Sequence, residues 1–181
     1  LDVVNVCTPN YLHHPHTLQA LAQKKHVVCE KPMALSSLQC EEMISSAKAN
    51  DRSVFVVMQN RFNEPVQQVK RLLEKDALGK IYLININCFW NRNEYYYLEN
   101  IWRGKKMMDG GFLFTQFSHF VDILYYLFGD FTSCRGIMKN FAHPYIEIED
   151  SGSFVMESIH GAIINFNYST CSYEKNMEGA I

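Results

Sequence analysis

Three short clusters bring together side chains able to do chemistry. Thr8-Pro9-Asn10 closes the apolar run Val-Val-Asn-Val-Cys over residues 3–7. The hydroxyl and amide there can donate or accept hydrogen bonds, and Pro9 fixes the chain's direction. Glu30-Lys31-Pro32 closes a second apolar run, His-Val-Val-Cys over 26–29. Adjacent charges on a strand point to opposite faces, so Glu30 and Lys31 do not simply neutralise each other. Apolar walls at a strand's end strip water from an ammonium and favour its neutral, proton-accepting form. The third cluster lies within 115–128. At about 100° per residue, Thr115, His119, Asp122 and Tyr126 fall on one narrow stripe, opposite Phe117, Phe120, Val121, Leu124, Leu127 and Phe128. Asp122, three residues after His119, is placed to orient the imidazole or raise its basicity.

Two further sites invite a chemical reading. Trp102-Arg103 sets an indole beside a guanidinium, a pair able to stack on a ring and hold a phosphate. His13-His14-Pro15-His16 tempts a metal reading, but no carboxylate or cysteine stands at a ligand spacing, so no metal is expected. The six cysteines are scattered, with no CxxC pair. They read as reduced thiols of a cytoplasmic protein. Neither a GxGxxG phosphate loop, a Walker sequence nor a GxSxG elbow occurs.

The elements that must position these groups follow from periodicity. Strand 3–7, helix 11–24 (with Pro15 in its first turn) and strand 26–29 make a βαβ unit with parallel strands. Ser36-Ser37-Leu38-Gln39 opens a second helix to about Asn50, and Val54–Met58 is a third strand. Asn63 and Pro65 open a helix whose apolar face is Val66, Val69, Leu72 and Leu73, and Gly79 ends it. Such alternation is that of a doubly wound sheet's second half. After Lys80 the pattern changes to an α+β layer. It has a strand over 81–90, a long loop over 91–109, the helix 115–128, and strands at 133–141, 152–159 and 162–170. The domain change falls near residue 62, giving domains 1–62 and 63–181.

Composition narrows the function classes. Of 181 residues, 48% are hydrophobic and 20% charged, and 17 basic against 19 acidic side chains leave a net charge of −2. That is a globular balance, without the basic footprint of a nucleic-acid binder. No apolar run approaches the length of a membrane span, about 20 residues. The chain starts on an apolar run without Met and stops at MEGAI, so it reads as an interior piece of a longer protein.

Taken together, the motifs resemble the glucose–fructose oxidoreductase/inositol dehydrogenase/rhizopine catabolism (Gfo/Idh/MocA) family. Residues 2–32 resemble its strand-TPN-x-x-H-helix-strand-EKP stretch, and Gln59-Asn60-Arg61-Phe62 its crossover between domains. Trp102-Arg103-Gly104, Asp109-Gly110-Gly111 and Ser118-His119-Phe120-Val121-Asp122 resemble later signatures. The resemblance implies the second half of a Rossmann-like NAD(P)-binding domain followed by a domain with an open, mostly antiparallel sheet. It implies hydride transfer, with NAD or NADP, to or from a hydroxyl-bearing carbon of a sugar, nucleotide sugar or cyclitol. Lys31 and His119 match the catalytic pair. Thr8, Pro9, Asn10, His13, Glu30, Trp102 and Arg103 match cofactor-side positions, and Thr115, Gln116 and Asp122 substrate-side ones.

This chain departs from the pattern twice. Many relatives carry Asp where Thr115 stands. A hydroxyl cannot supply a carboxylate's charge, so proton transfer rests on Lys31 and His119. The first βαβ, with its Gly-rich turn and acidic ribose-binding position, is also absent. These departures motivate an alternative, a non-catalytic binding or regulatory relative on the same fold. An open sheet face, which buries poorly alone, points to a homo-oligomer.

Overall fold

The computed structural model describes residues 1–181 and contains two compact units. One comprises Leu1–Met58 and Trp102–Ser118, the other Gln59–Ile101 and His119–Ile181. Trp102–Ser118, which the sequence reading set beyond the boundary, thus packs with the first unit. No helix is long and apolar enough to cross a membrane.

In the first unit, β1 (Val3–Val6), β2 (His26–Cys29) and β3 (Val54–Val56) form a parallel sheet in that order. The helices α1 (Asn10–Ala22) and α2 (Ser37–Ala49) connect them. Val6, Leu21, Val27, Cys29, Ala34, Met43 and Ala47 form the core. Ser36 caps α2 by accepting the Gln39 N–H at 3.3 Å, as the capping sequence requires. Helix α1 starts one residue earlier than the periodicity suggests. Pro15 is its sixth residue, in the second turn, where it removes one ladder bond. The inward stripe of α1 is Asn10, His13, Thr17 and Leu21, rather than the leucine face expected from spacing. Three of these are polar: Asn10 finds its partner 99 residues away, and His13 joins the turn before α1 to the loop after β2.

In the second unit, five strands follow the order β5-β6-β7-β4-β8. They are β4 (Leu83–Phe89), β5 (Phe131–Lys139), β6 (Ser151–Ser158), β7 (Ile163–Ser169) and β8 (Glu178–Ala180). Only β4 and β7 pair in parallel. Alternation sends Ile84, Ile86 and Cys88 of β4 and Ile164, Phe166 and Tyr168 of β7 inward. The opposite face carries Asn85 and Asn87 paired with Asn165 and Asn167 at 3.0 and 3.3 Å. Strand β8, three residues long, was not anticipated, since so short a segment shows no period.

Helix α3 (Glu64–Glu74) precedes β4, and the expected loop 91–109 instead holds two short helices, α4 (Glu94–Leu98) and α5 (Lys106–Asp109). Asn93 caps the first by accepting the Tyr96 N–H. The expected single helix 115–128 is two, α6 (Phe112–Thr115) and α7 (Ser118–Phe128). The chain turns sharply between them, the Gln116 and Phe117 N–H groups both donating to the Phe112 carbonyl at 2.9 Å. This tucks the Phe117 ring, fully buried, 6.2 Å from that of Phe112. Thr115 is thereby removed from the stripe of α7.

All six cysteines are free thiols. Burial pushes the Cys29 thiol up to about 11 and that of Cys88 up to about 12, so neither supplies a thiolate near neutral pH.

Candidate functional site

Beyond the carboxyl ends of parallel strands, loops converge where ligands of open α/β sheets bind. Val6 stands opposite Cys29 in the β1–β2 pairing, so Thr8-Pro9-Asn10 and Glu30-Lys31-Pro32 leave the sheet side by side. His13 ties them together. Its Nδ1 lies 2.6 Å from the Pro32 carbonyl and its Nε2 2.7 Å from the Thr8 carbonyl. The ring is 1% exposed and both nitrogens are engaged, so it positions the two loops and leaves no face for a ligand.

Asn10 is also a positioning residue. Its amide donates to the Asp109 backbone carbonyl at 3.0 Å and to Asp109 Oδ1 at 3.2 Å. Asp109, itself buried, accepts the Gly104 N–H through Oδ2 at 2.8 Å. Thus Asn10 fixes the Asp109-Gly110-Gly111 turn, in which Gly110 has φ +92° and a Cβ would meet Leu35 at 2.7 Å. Lys31 completes the arrangement. Its ammonium donates to the Thr115 carbonyl at 2.6 Å. The Thr115 hydroxyl donates to the Gly111 carbonyl at 3.1 Å. The threonine therefore meets Lys31 through its main chain, a role independent of the missing carboxylate.

The other expected residues of this unit keep partly open positions. Pro9 caps α1, and Thr8 Oγ1 lies 3.3 Å from His16 Nδ1. Glu30 Oε2 accepts the Lys31 N–H at 3.2 Å. The Arg103 guanidinium sits 5.7 Å from the Trp102 ring centre. Gln116 is half-buried.

In the second unit, His119 is 9% exposed at the start of α7. Asp122 does not serve its imidazole. Both carboxylate oxygens are engaged by Arg61, at 2.7 Å from Nε and 2.5 Å from Nη2. That hydrogen bonding holds the Arg61 guanidinium above its already high ordinary pKa. The same guanidinium lies 5.1 Å from the Tyr126 ring centre. Gln67 donates to the Arg61 carbonyl at 2.5 Å and to the Tyr126 hydroxyl at 3.2 Å. The polar stripe of α7 is thus partly a docking strip for the segment 59–74. Spacing within α7 suggested Asp122 for the imidazole, but the stronger partner was a forked guanidinium from a distant turn.

Magnitudes separate this pair from an ordinary one. Side chains of Arg61 and Asp122 are 34% and 12% exposed, whereas those of Arg71 and Glu64 are 51% and 76% exposed. Arg61→Ala is expected to lower unfolding stability by about 1–3 kcal/mol by stranding a largely buried carboxylate. Arg71→Ala should change it by less than about 1 kcal/mol. Urea denaturation of both variants checks this, and equal losses would contradict it.

Two family models match the chain. Residues 1–58 match that of an oxidoreductase family with an NAD-binding Rossmann fold, and residues 66–180 match the GFO/IDH/MocA C-terminal domain. The chain belongs to the GFO/IDH/MocA family. Among solved GFO/IDH/MocA-like structures, it is similar to the WlbA dehydrogenase from Bordetella pertussis, in complex with NADH and UDP-GlcNAcA. Identity is 36% and the TM-score 0.95, over 98% of this chain and 51% of that one. Two Escherichia coli K12 proteins are also similar. The 2,7-anhydro-N-acetylneuraminate hydratase is 32% identical over 72% of this chain and 34% of its own length. The D-glucoside 3-dehydrogenase is 31% identical over 71% of this chain and 36% of its own length. The chain spans about half the length of that solved relative, and its alignments cover about a third of the two E. coli proteins.

Proposed function

We propose that the protein containing this chain is an NAD- or NADP-linked oxidoreductase acting on a hydroxyl-bearing carbon of a sugar, nucleotide sugar or cyclitol. The observation that carries this reading is the pair of loops set side by side by the β1–β2 register and stapled by His13, with the Lys31 ammonium held on the Thr115 carbonyl. A dinucleotide fits such a strand-end edge, since Thr8, Pro9, Glu30, Trp102 and Arg103 offer hydroxyl, carboxylate, indole and guanidinium around it. These five residues would hold its nicotinamide-proximal part.

The nicotinamide, when bound, supplies a hydride acceptor or donor. The chain's own residues handle the proton and the charge. Lys31 and His119 are assigned to proton transfer: the group that takes the substrate hydroxyl's proton does so from its neutral form, and a hydrogen-bond donor stabilises the developing alkoxide. Because Thr115 O fixes the ammonium, little reorganisation is needed when that charge appears. Gln116 is assigned to substrate hydroxyls, while Asp122 holds Arg61 within the second unit. The same reading places the protein in the cytoplasm, with its thiols reduced, as a homo-oligomer through the open sheet face, where Leu83, Val155 and Ile163 are each more than half exposed.

The test uses the full-length protein with NAD and with NADP, against panels of sugars, nucleotide sugars and cyclitols. Turnover is read from the near-ultraviolet absorbance of reduced nicotinamide. Turnover of at least one class is expected. A dinucleotide that binds without turnover on any panel favours the binding or regulatory relative, and no binding at all overturns both readings. Light scattering on the same preparation should give a multiple of the monomer mass.

A further inference from the structure

His143, Asp150 and Cys171 come together in the second unit, on the connection from β5 to β6 and just after β7. One ligand atom from each lies within 4.8 Å of the other two. His143 Nδ1 is 2.9 Å from Asp150 Oδ2 and 3.9 Å from Cys171 Sγ. The far side of the ring is engaged, with Nε2 donating to the Arg92 carbonyl at 2.8 Å.

That arrangement decides between two kinds of chemistry. In a nucleophilic triad the imidazole bridges thiol and carboxylate through its two different nitrogens. Here both groups crowd Nδ1, and Nε2 faces a backbone carbonyl, so the thiol cannot be activated in that way. Convergence of S, N and O on one point, with the other ring nitrogen fixed by a carbonyl, is instead the pattern of a metal-binding histidine and its outer partner.

The carboxylate fits the same purpose. Asp150 is completely buried. Its Oδ2 accepts the Phe141 and Ala142 N–H groups at 3.0 and 2.8 Å, which lock its orientation. Burial alone would raise its pKa, but those N–H groups and His143 outweigh it and hold the carboxyl below its usual range. Its second oxygen, Oδ1, is buried with no hydrogen-bond partner. A buried carboxylate oxygen left unpaired is costly unless something positive reaches it. Cys171 is exposed, which leaves a side open for entry and for a water as fourth ligand.

We propose that His143, Asp150 and Cys171 form a binding site for one zinc-like divalent cation. Tetrahedral zinc places its N, O and S ligands about 3.3–3.6 Å apart, a spacing bracketed by the observed separations. Coordination displaces the proton on Nδ1, brings positive charge to the carboxylate whose Oδ1 is unpaired, and takes the proton from the thiol, so binding strengthens as pH rises. The site lies outside the proposed oxidoreductase machinery. It pins the 140–150 connection to the end of β7, and its test does not depend on that machinery.

The experiment titrates tag-free, metal-stripped full-length protein with Co²⁺ and follows the thiolate-to-cobalt charge-transfer absorption, then displaces cobalt with Zn²⁺. One equivalent is expected to saturate the band. Cys171→Ser should abolish the band and weaken Zn²⁺ binding by at least about tenfold, measured by calorimetry. Cys7→Ser and Cys134→Ser, which remove the other exposed thiols, should leave both unchanged, as should His14→Gln and His16→Gln. In the unmodified protein, Zn²⁺ should protect Cys171 from alkylation, read by peptide mass. No saturable thiolate band, a band that survives Cys171→Ser, or unprotected Cys171 overturns the proposal.

Discussion

Lys31→Ala in the full-length protein is expected to lower kcat by about 10²–10⁴-fold, the range for a positioned acid–base group. The amine stands just past β2, and the Thr115 carbonyl fixes it at 2.6 Å. Removing it withdraws the amine that takes the hydroxyl proton from its neutral form and returns it from its charged form. Lys31→Met keeps the length of the stem and should lose as much activity, which separates lost charge from lost packing. Lys31→Arg should not rescue, because a guanidinium does not release its proton in proteins and its fork has a different shape. Far-ultraviolet circular dichroism should match the unmodified protein in all three. Turnover within about threefold of the parent for Lys31→Met would remove Lys31 from the mechanism.

What the sequence made legible, and what it hid, follows from the range of the interactions. Strand β2 was read to the residue, and α2 through its capping serine, because β-branched runs and caps are decided within a few neighbours. The same local logic misread α1. Spacing favours a leucine stripe, yet the buried stripe is Asn10, His13, Thr17 and Leu21. A polar face can be buried only if it finds partners, and those of Asn10 lie 99 residues away at Asp109. Periodicity cannot report such partners. The single helix 115–128 failed for a related reason. Its composition is helical throughout, but Phe117 is buried against Phe112, which breaks the run before Ser118. Among site residues, Lys31 was visible from its motif, while its anchor was not, because that anchor is a main-chain carbonyl and any residue carries one. Asp122 was visible as a carboxylate beside a histidine, but Arg61, which takes both of its oxygens, sits 61 positions earlier. The cluster of His143, Asp150 and Cys171 showed no signal, since its members have no ligand spacing until β6 and β7 pair.

Among the three neighbouring histidines 13, 14 and 16, substitution by alanine should give very unequal losses. His13→Ala is expected to cost about 3 kcal/mol or more. A neutral imidazole donates one N–H, so one of the Pro32 and Thr8 carbonyls loses its donor. Each buried polar group left unpaired costs about 1–3 kcal/mol, and the emptied volume adds a cavity term. Against a total domain stability of about 5–15 kcal/mol, that is a large fraction. His14 is different. It reaches Glu42 at 2.7 Å, but the glutamate is half exposed, so His14→Ala should cost less than about 1 kcal/mol. His16 approaches only the Thr8 hydroxyl at 3.3 Å and should behave like His14. Urea unfolding of the cofactor-free protein reads all three. The same measurement decides what the histidine of the TPN-x-x-H motif does. If it held the dinucleotide directly, His13→Ala would raise the KM for NAD or NADP with an unchanged unfolding midpoint. If it staples the two loops, the midpoint falls first, and the loss of dinucleotide affinity follows from loops that no longer leave the sheet together.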